Sequence, residues 1–185
     1  MLPKGANQIP VDLEGSRKTY SALVVNFTPA ATATDFFTLT PVAGTIMRVN
    51  RVRIMGTITG SANSIPSMTV YRRNAVNTGG STAAVTPVPH DSNDPASTVV
   101  AVSYTANPAG LGTGVIVREE HFMVVGTTTP TQVPVPLLWD SGLGNGKSWT
   151  FRGGKGEFLA LNWQGQAVPA GLLMHVTVEY TEEAE

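Results

Sequence analysis

The side chains that could carry acid–base or metal chemistry are few in this sequence and lie far apart. His90, His121 and His175 lack the close spacing of histidines that bind a metal, and no cysteine is present to supply a thiolate. Catalysis by acids and bases needs two or three titratable groups in one dry cleft. We therefore expect no catalytic residue, no metal site and no cofactor, and we classify the chain as a binding or structural protein and not an enzyme.

Short polar and glycine-rich motifs in the chain are typical of turns. The stretch Asp91–Asp94 offers oxygen ligands of the kind that calcium prefers, but it lacks the central glycine and the distal glutamate of an EF-hand loop. Because Asp and Asn also form turns with their own backbone, a plain turn is favoured and a weak calcium site is the alternative. The pair Gly146-Lys147 lacks the spacing of a phosphate-binding loop, and Ser141 lacks the Gly-x-Ser-x-Gly motif of esterases.

Aromatic residues offer a second kind of binding chemistry. Trp139, Trp149 and Trp163, with Tyr71 and Tyr104, would stack on sugar rings if they were exposed in a row. Their positions on apolar strand faces favour packing in the core instead. Sugar binding remains the alternative for these side chains.

Basic side chains concentrate in two segments of the chain. Five of the twelve lysines and arginines are Arg48, Arg51, Arg53, Arg72 and Arg73. One interpretation is a solvated outer face of a sheet, which is what most runs of charge are. The functional interpretation is a basic strip that meets an acidic surface of a partner protein.

Residues Met1–Arg17 are interpreted as an extended arm ahead of a single domain that spans residues 18–185. Within the arm, Ile9, Val11 and Leu13 alternate with polar residues or proline, so one edge of an extended segment would be apolar. The arm either stays local to its own domain or docks on a neighbouring subunit as an added strand. We include these three residues in the predicted partner interface.

Length and composition indicate one all-β domain. At 185 residues the chain is long enough for one self-sufficient core, and its 19 glycines and 13 prolines suit short strands joined by tight turns. A net charge of −1 supplies no positive field for nucleic acid. With no long apolar run and no apolar core of a signal peptide at the first residues, we expect a protein of a soluble compartment without membrane contact.

Ten segments are predicted as strands of an antiparallel β-sandwich, preferably a jelly roll. The last one, Leu172–Tyr180, alternates between apolar and more polar residues, as expected for a strand with one buried face. The third one, Thr45–Thr59, changes its apolar parity at Asn50 and Arg51, which predicts a bulge that keeps both halves facing one core. The ten segments are Tyr20–Phe27, Asp35–Thr40, Thr45–Thr59, Ser67–Arg73, Ser97–Thr105, Gly114–Val125, Gln132–Trp139, Ser148–Phe151, Glu157–Trp163 and Leu172–Tyr180.

Four stretches together resemble the small jelly-roll proteins that decorate or cement the capsids of tailed bacteriophages, or form their head fibres. These stretches are Arg48–Gly56, Tyr71–Gly80, Gly156–Asn162 and Val176–Glu183. The resemblance covers most of the chain after Thr34 and is one of strands and turns. It implies a virion structural protein on the capsid exterior, made in the host cytoplasm, whose dimer or trimer binds the major capsid protein. The alternative is a fibre, baseplate or carbohydrate-binding module that recognises a host surface.

Overall fold

A computed structural model describes residues 17–29, 34–60, 63–128, 135–141, 147–164, 168 and 170–185 of the chain. These residues form thirteen strands and one 3-10 turn, Gly153–Lys155. The strands are β1 (Thr19–Phe27), β2 (Thr34–Thr40), β3 (Thr45–Ile58), β4 (Ser67–Arg73), β5 (Ser81–Val85), β6 (Val88–Pro89), β7 (Val100–Ala106), β8 (Gly114–His121), β9 (Val125–Gly126), β10 (Leu137–Asp140), β11 (Trp149–Arg152), β12 (Phe158–Trp163) and β13 (Leu172–Ala184).

Two sheets pack face to face, so the predicted β-sandwich is confirmed. Sheet A has the order β10–β3–β13–β1–β6, and β9 and β11 also pair with β3. Sheet B has the order β5–β7–β2–β12–β4–β8. All described pairings of strands are antiparallel except the short one between β3 and β9. The jelly-roll connectivity stays a prediction.

The long ladder between β3 and β13 is the centre of sheet A, and it contains the predicted bulge. Glu179 pairs with Arg51 while the next residue, Tyr180, pairs with Val49, which leaves Asn50 as the extra residue. The bulge keeps Val49 and Val52 both buried although they are three positions apart. The carbonyl oxygen of Asn50 still has hydrogen-bond partners. The backbone N–H and the hydroxyl of Ser141 both donate to it, at 2.8 and 3.0 Å.

Alternating apolar side chains from the two sheets form one core. On β13, every second residue from Leu172 to Tyr180 is fully buried, as its sequence pattern predicts. Across the core, Leu159, Leu161 and Trp163 of β12 are also fully buried, and the ring of Phe122 meets that of Trp163 edge-on at 6.4 Å.

Two short strands were not predicted, and several strand ends differ from the sequence prediction. Ser81–Val85 was not predicted, because its small residues are exposed on an edge and carry little apolar signal. Val88–Pro89 was also missed, since only two residues of it pair with β1. The predicted strand Gly114–Val125 ends at His121, where Phe122 leaves the ladder and enters the core.

Candidate binding surfaces

Two of the predicted arginines lie on the outer face of sheet A, but carboxylates neutralise them. The Nε of Arg48 donates to Glu183 at 2.7 Å. Arg51 forms ion pairs with Asp140 at 2.8 Å and with Glu179 at 3.3 Å. The hydrogen bond that Arg51 donates to Asp140 and the negative charge of Glu179 raise the pKa of the Arg51 guanidinium, so it stays charged. These two side chains therefore add no net positive charge to the outer face of sheet A.

Arg53 is exposed on this face like Arg51, but it forms no ion pair with any other described residue. It lies in register with Leu138 on β10 and Thr177 on β13, and Thr177 lies in register with Leu23 on β1. We call these four residues the cross-strand row. Leu138 and Leu23 are 46% and 52% exposed, so the row presents apolar side chains on both sides of one free positive charge.

Arg72 does not belong to a surface strip, and this part of the prediction is wrong. It shares its parity on β4 with the buried Met68 and Val70, so it faces the inside of the sandwich. There its guanidinium carbon lies 5.6 Å from the centre of the Phe151 ring, and its Nη2 donates to the carbonyl of Thr150 at 3.3 Å. Arg72 thus joins sheet B to β11 of sheet A.

Arg73 is buried as well, and the prediction that it meets a partner is also wrong. Its side chain is 5% exposed and forms a two-pronged ion pair with Asp35, which is fully buried, with both N···O distances at 2.6 Å. Its Nη1 donates to the carbonyl of Gly112 at 2.6 Å, and its guanidinium lies 4.2 Å from the centre of the Tyr71 ring. The charge is therefore satisfied inside the protein.

Two amides complete this buried group, which we call the Asp35 cluster (Asp35, Arg73, Asn77, Gly112 and Asn162). Asn77 and Asn162 each donate to the Asp35 carboxylate, at 2.8 and 2.7 Å. The backbone N–H of Gly112 donates to Asn77 at 2.8 Å, which ties the loop before β8 to the outer face of sheet B. One sequence signal was available, since Asp35 is the single charged residue in the apolar strand β2.

A pocket of about 370 Å³ opens at the edge of sheet A where β10 and β11 follow one another along β3. The rings of Trp139 and Trp149 form one part of its wall, with centres 5.7 Å apart and planes at 63°. Trp139 is 5% exposed, as predicted for a core residue, whereas Trp149 is half-buried. We call this the tryptophan pocket; its described lining residues are Val49, Asn50, Arg51, Arg118, Leu138, Trp139, Asp140, Ser141, Lys147 and Trp149.

The other predicted features that fall in the described part of the chain give no further site there. Ile9, Val11 and Leu13 of the arm lie outside the described residues. His90 contacts the hydroxyl of Ser21 at 2.7 Å. The loop at Asp91 is a turn, in which Asp91 accepts from the backbone and side chain of Asn93. Within the described ranges, no group of three or more His, Cys, Asp or Glu residues is placed to hold a metal.

No protein-family model, curated protein or solved structure matches the chain. Among the described residues, no helix is long and apolar enough to cross a membrane.

Proposed function

We propose that the protein is a virion structural protein of the capsid decoration or cement type, built as a jelly roll, which binds the major capsid protein through the outer face of sheet A. The cross-strand row carries the proposal. A free positive charge between exposed leucines suits a protein surface that offers one carboxylate within an apolar area. The resemblance of the strand and turn segments to capsid decoration proteins supports a capsid subunit as the owner of that surface.

The row has the composition of a contact site more than that of an ordinary solvated face. Its neighbours Arg48 and Arg51 are paired with carboxylates of their own sheet, so Arg53 keeps its full charge for an external partner. Leu23 and Leu138 would lose contact with water on binding, which is the main favourable term in protein association. Arginine is also enriched at the centres of protein interfaces.

The proposal includes assembly in several copies on the capsid exterior, after synthesis in the host cytoplasm. The arm with Ile9, Val11 and Leu13 would link neighbouring subunits as an added strand, and a closed dimer or trimer is the expected state. Removal of residues 1–17 is expected to leave a folded domain that attaches more weakly to capsids. Equal occupancy of capsids by the full and the shortened chain would contradict the role of the arm.

Binding to purified capsids tests the main proposal. The full chain, whose oligomeric state is first measured by light scattering, is mixed with capsids of the phage that encodes it, and the capsids are sedimented. We expect saturable binding, at a stoichiometry compatible with capsid symmetry. Arg53→Glu should weaken this binding by about tenfold or more, because it places a negative charge opposite the acidic partner. Leu23→Ser should also weaken it.

Matched controls separate the row from general surface effects. Lys155→Glu makes the same charge change at an exposed residue of the 3-10 turn, and Val76→Ser removes an apolar side chain that is 80% exposed elsewhere. Both controls should bind like the parent protein. A folded protein that does not bind capsids would refute the proposal and would favour the fibre or baseplate alternative.

A further inference from the structure

We infer that the tryptophan pocket binds one saccharide ring that carries neighbouring hydroxyl groups. This function differs from capsid attachment, although Leu138 of the cross-strand row also lines the pocket. The pocket is lined in addition by Arg118 of sheet B and opens at the β10 and β11 edge, not on the outer face alone. Its volume of about 370 Å³ is near the lower end of the range for small-molecule sites, which suits one sugar ring.

The pocket opens beside the bulge at Asn50. β10 pairs with β3 up to Arg51, and β11 pairs with β3 up to Val49, so the two strands lie end to end along the same edge. Between their paired residues the chain passes through Ser141, which is fixed by two hydrogen bonds to the carbonyl of Asn50. The site is therefore positioned by sheet backbone, which gives a ligand a rigid frame.

The aromatic wall supplies the apolar half of sugar recognition. Trp149 is half-buried, and its indole is held by the edge-to-face contact with Trp139. The C–H face of a sugar ring packs on such an indole through dispersion and loss of contact with water. Among the described residues, no acceptor pairs with the buried Nε1–H of Trp139. A buried donor of this kind pairs with an ordered water, and such a water would bridge the indole to a hydroxyl of the bound sugar.

Polar side chains at the rim of the pocket supply the hydrogen-bonding half of sugar recognition. Asp140 and Arg51 lie 2.8 Å apart at the pocket, so an acceptor and a donor stand side by side. Two neighbouring hydroxyls of a sugar match this pair, since one donates to the carboxylate while the other accepts from the guanidinium. Lys147 is exposed at the rim and forms no ion pair within the described part of the chain. It can donate to a third hydroxyl or to the carboxylate of a uronic acid.

Quenching of tryptophan fluorescence tests the inference with the full chain. Glucose, galactose, mannose, glucuronate and galacturonate are titrated, and a glycan array screens longer chains. We expect saturable quenching by at least one sugar, with a dissociation constant on the order of 1 mM for a single ring. Tighter binding of the uronates, lost in Lys147→Ala, would assign an acidic sugar; equal binding of neutral sugars would assign a neutral one.

Variants tie the signal to the pocket. Asp140→Asn and Trp149→Leu should each weaken binding by about tenfold or more. Glu183→Gln, which changes the carboxylate of the Arg48 ion pair on the same sheet, should bind like the parent. Lys147 is exposed, so Lys147→Ala keeps the test informative if another variant fails to fold. Absence of saturable quenching and of array binding, or binding that survives both pocket variants, would overturn the inference.

Discussion

The ion pair between Arg73 and Asp35 sets the clearest energetic prediction, for the substitution Arg73→Met. Methionine keeps much of the side-chain volume but leaves the fully buried carboxylate of Asp35 with only the donors of Asn77 and Asn162. Two charge-assisted hydrogen bonds of 2.6 Å are lost, and the negative charge loses its counter-charge. Breaking a buried pair from one side costs about 3–5 kcal/mol, so the free energy of unfolding should fall by that amount.

Urea unfolding followed by tryptophan fluorescence measures this loss, and thermal unfolding should show Tm lower by about 6–20 °C for a domain of this length. Arg48→Met is the matched control, because it breaks an ion pair with Glu183 whose partners are 30% and 36% exposed. Solvent screening limits the cost of that change to about 1 kcal/mol or less. The double variant Asp35→Asn with Arg73→Met should be less destabilised than the sum of its single variants. A loss below about 1 kcal/mol for Arg73→Met would refute the reasoning.

Two further predictions concern the pH dependence of stability and the substitution Gly112→Ala. Burial and the charge of Glu182 raise the pKa values of Tyr20 and Tyr180, whereas both groups have pKa values of about 10 in the unfolded chain. As pH rises, the tyrosines of the unfolded chain lose their protons first, so the free energy of unfolding should fall above about pH 10. Urea midpoints at about pH 9 and pH 11 measure this loss of stability. The loss should be smaller in Tyr180→Phe, which lacks one of the two titrating groups. In Gly112→Ala the new Cβ would lie 1.5 Å from the carbonyl oxygen of Ala75, so the loop must shift at a cost of about 1–3 kcal/mol; an unchanged urea midpoint would contradict this expectation.

The sequence predicts a strand well wherever one of its faces is buried, because apolar and polar residues then alternate along it. The alternation in β13 and the change of parity at Asn50 both follow from one continuous core, and both are present in the structure. The edge strand Ser81–Val85 shows no such alternation, because neither of its faces is consistently buried. This is why β5 was missed while β13 was placed correctly.

The binding surfaces are less predictable from the sequence, because side-chain pairing depends on contacts between distant segments. Arg53 and Arg73 look alike as residues of basic strands, yet Asp35, 38 positions away in the sequence, removes Arg73 from the surface. The Trp139 and Trp149 pair was expected in the core, and the structure buries the first but leaves the second at a pocket. A lone aspartate in an apolar strand was the one readable sign of the Asp35 cluster.

The place of β13 between β1 and β3 has a consequence for synthesis. About 110 residues separate the end of β3 from Leu172, and a ribosome needs roughly 6–20 s to add them. For that time the nascent chain holds β1 and β3 without the strand that joins them, so their apolar faces and open edges are exposed to other chains. Sheet A can close only when residues up to Ala184 have left the ribosome. Ribosome-associated chaperones that shield β1 and β3 during this interval should raise the yield of folded protein.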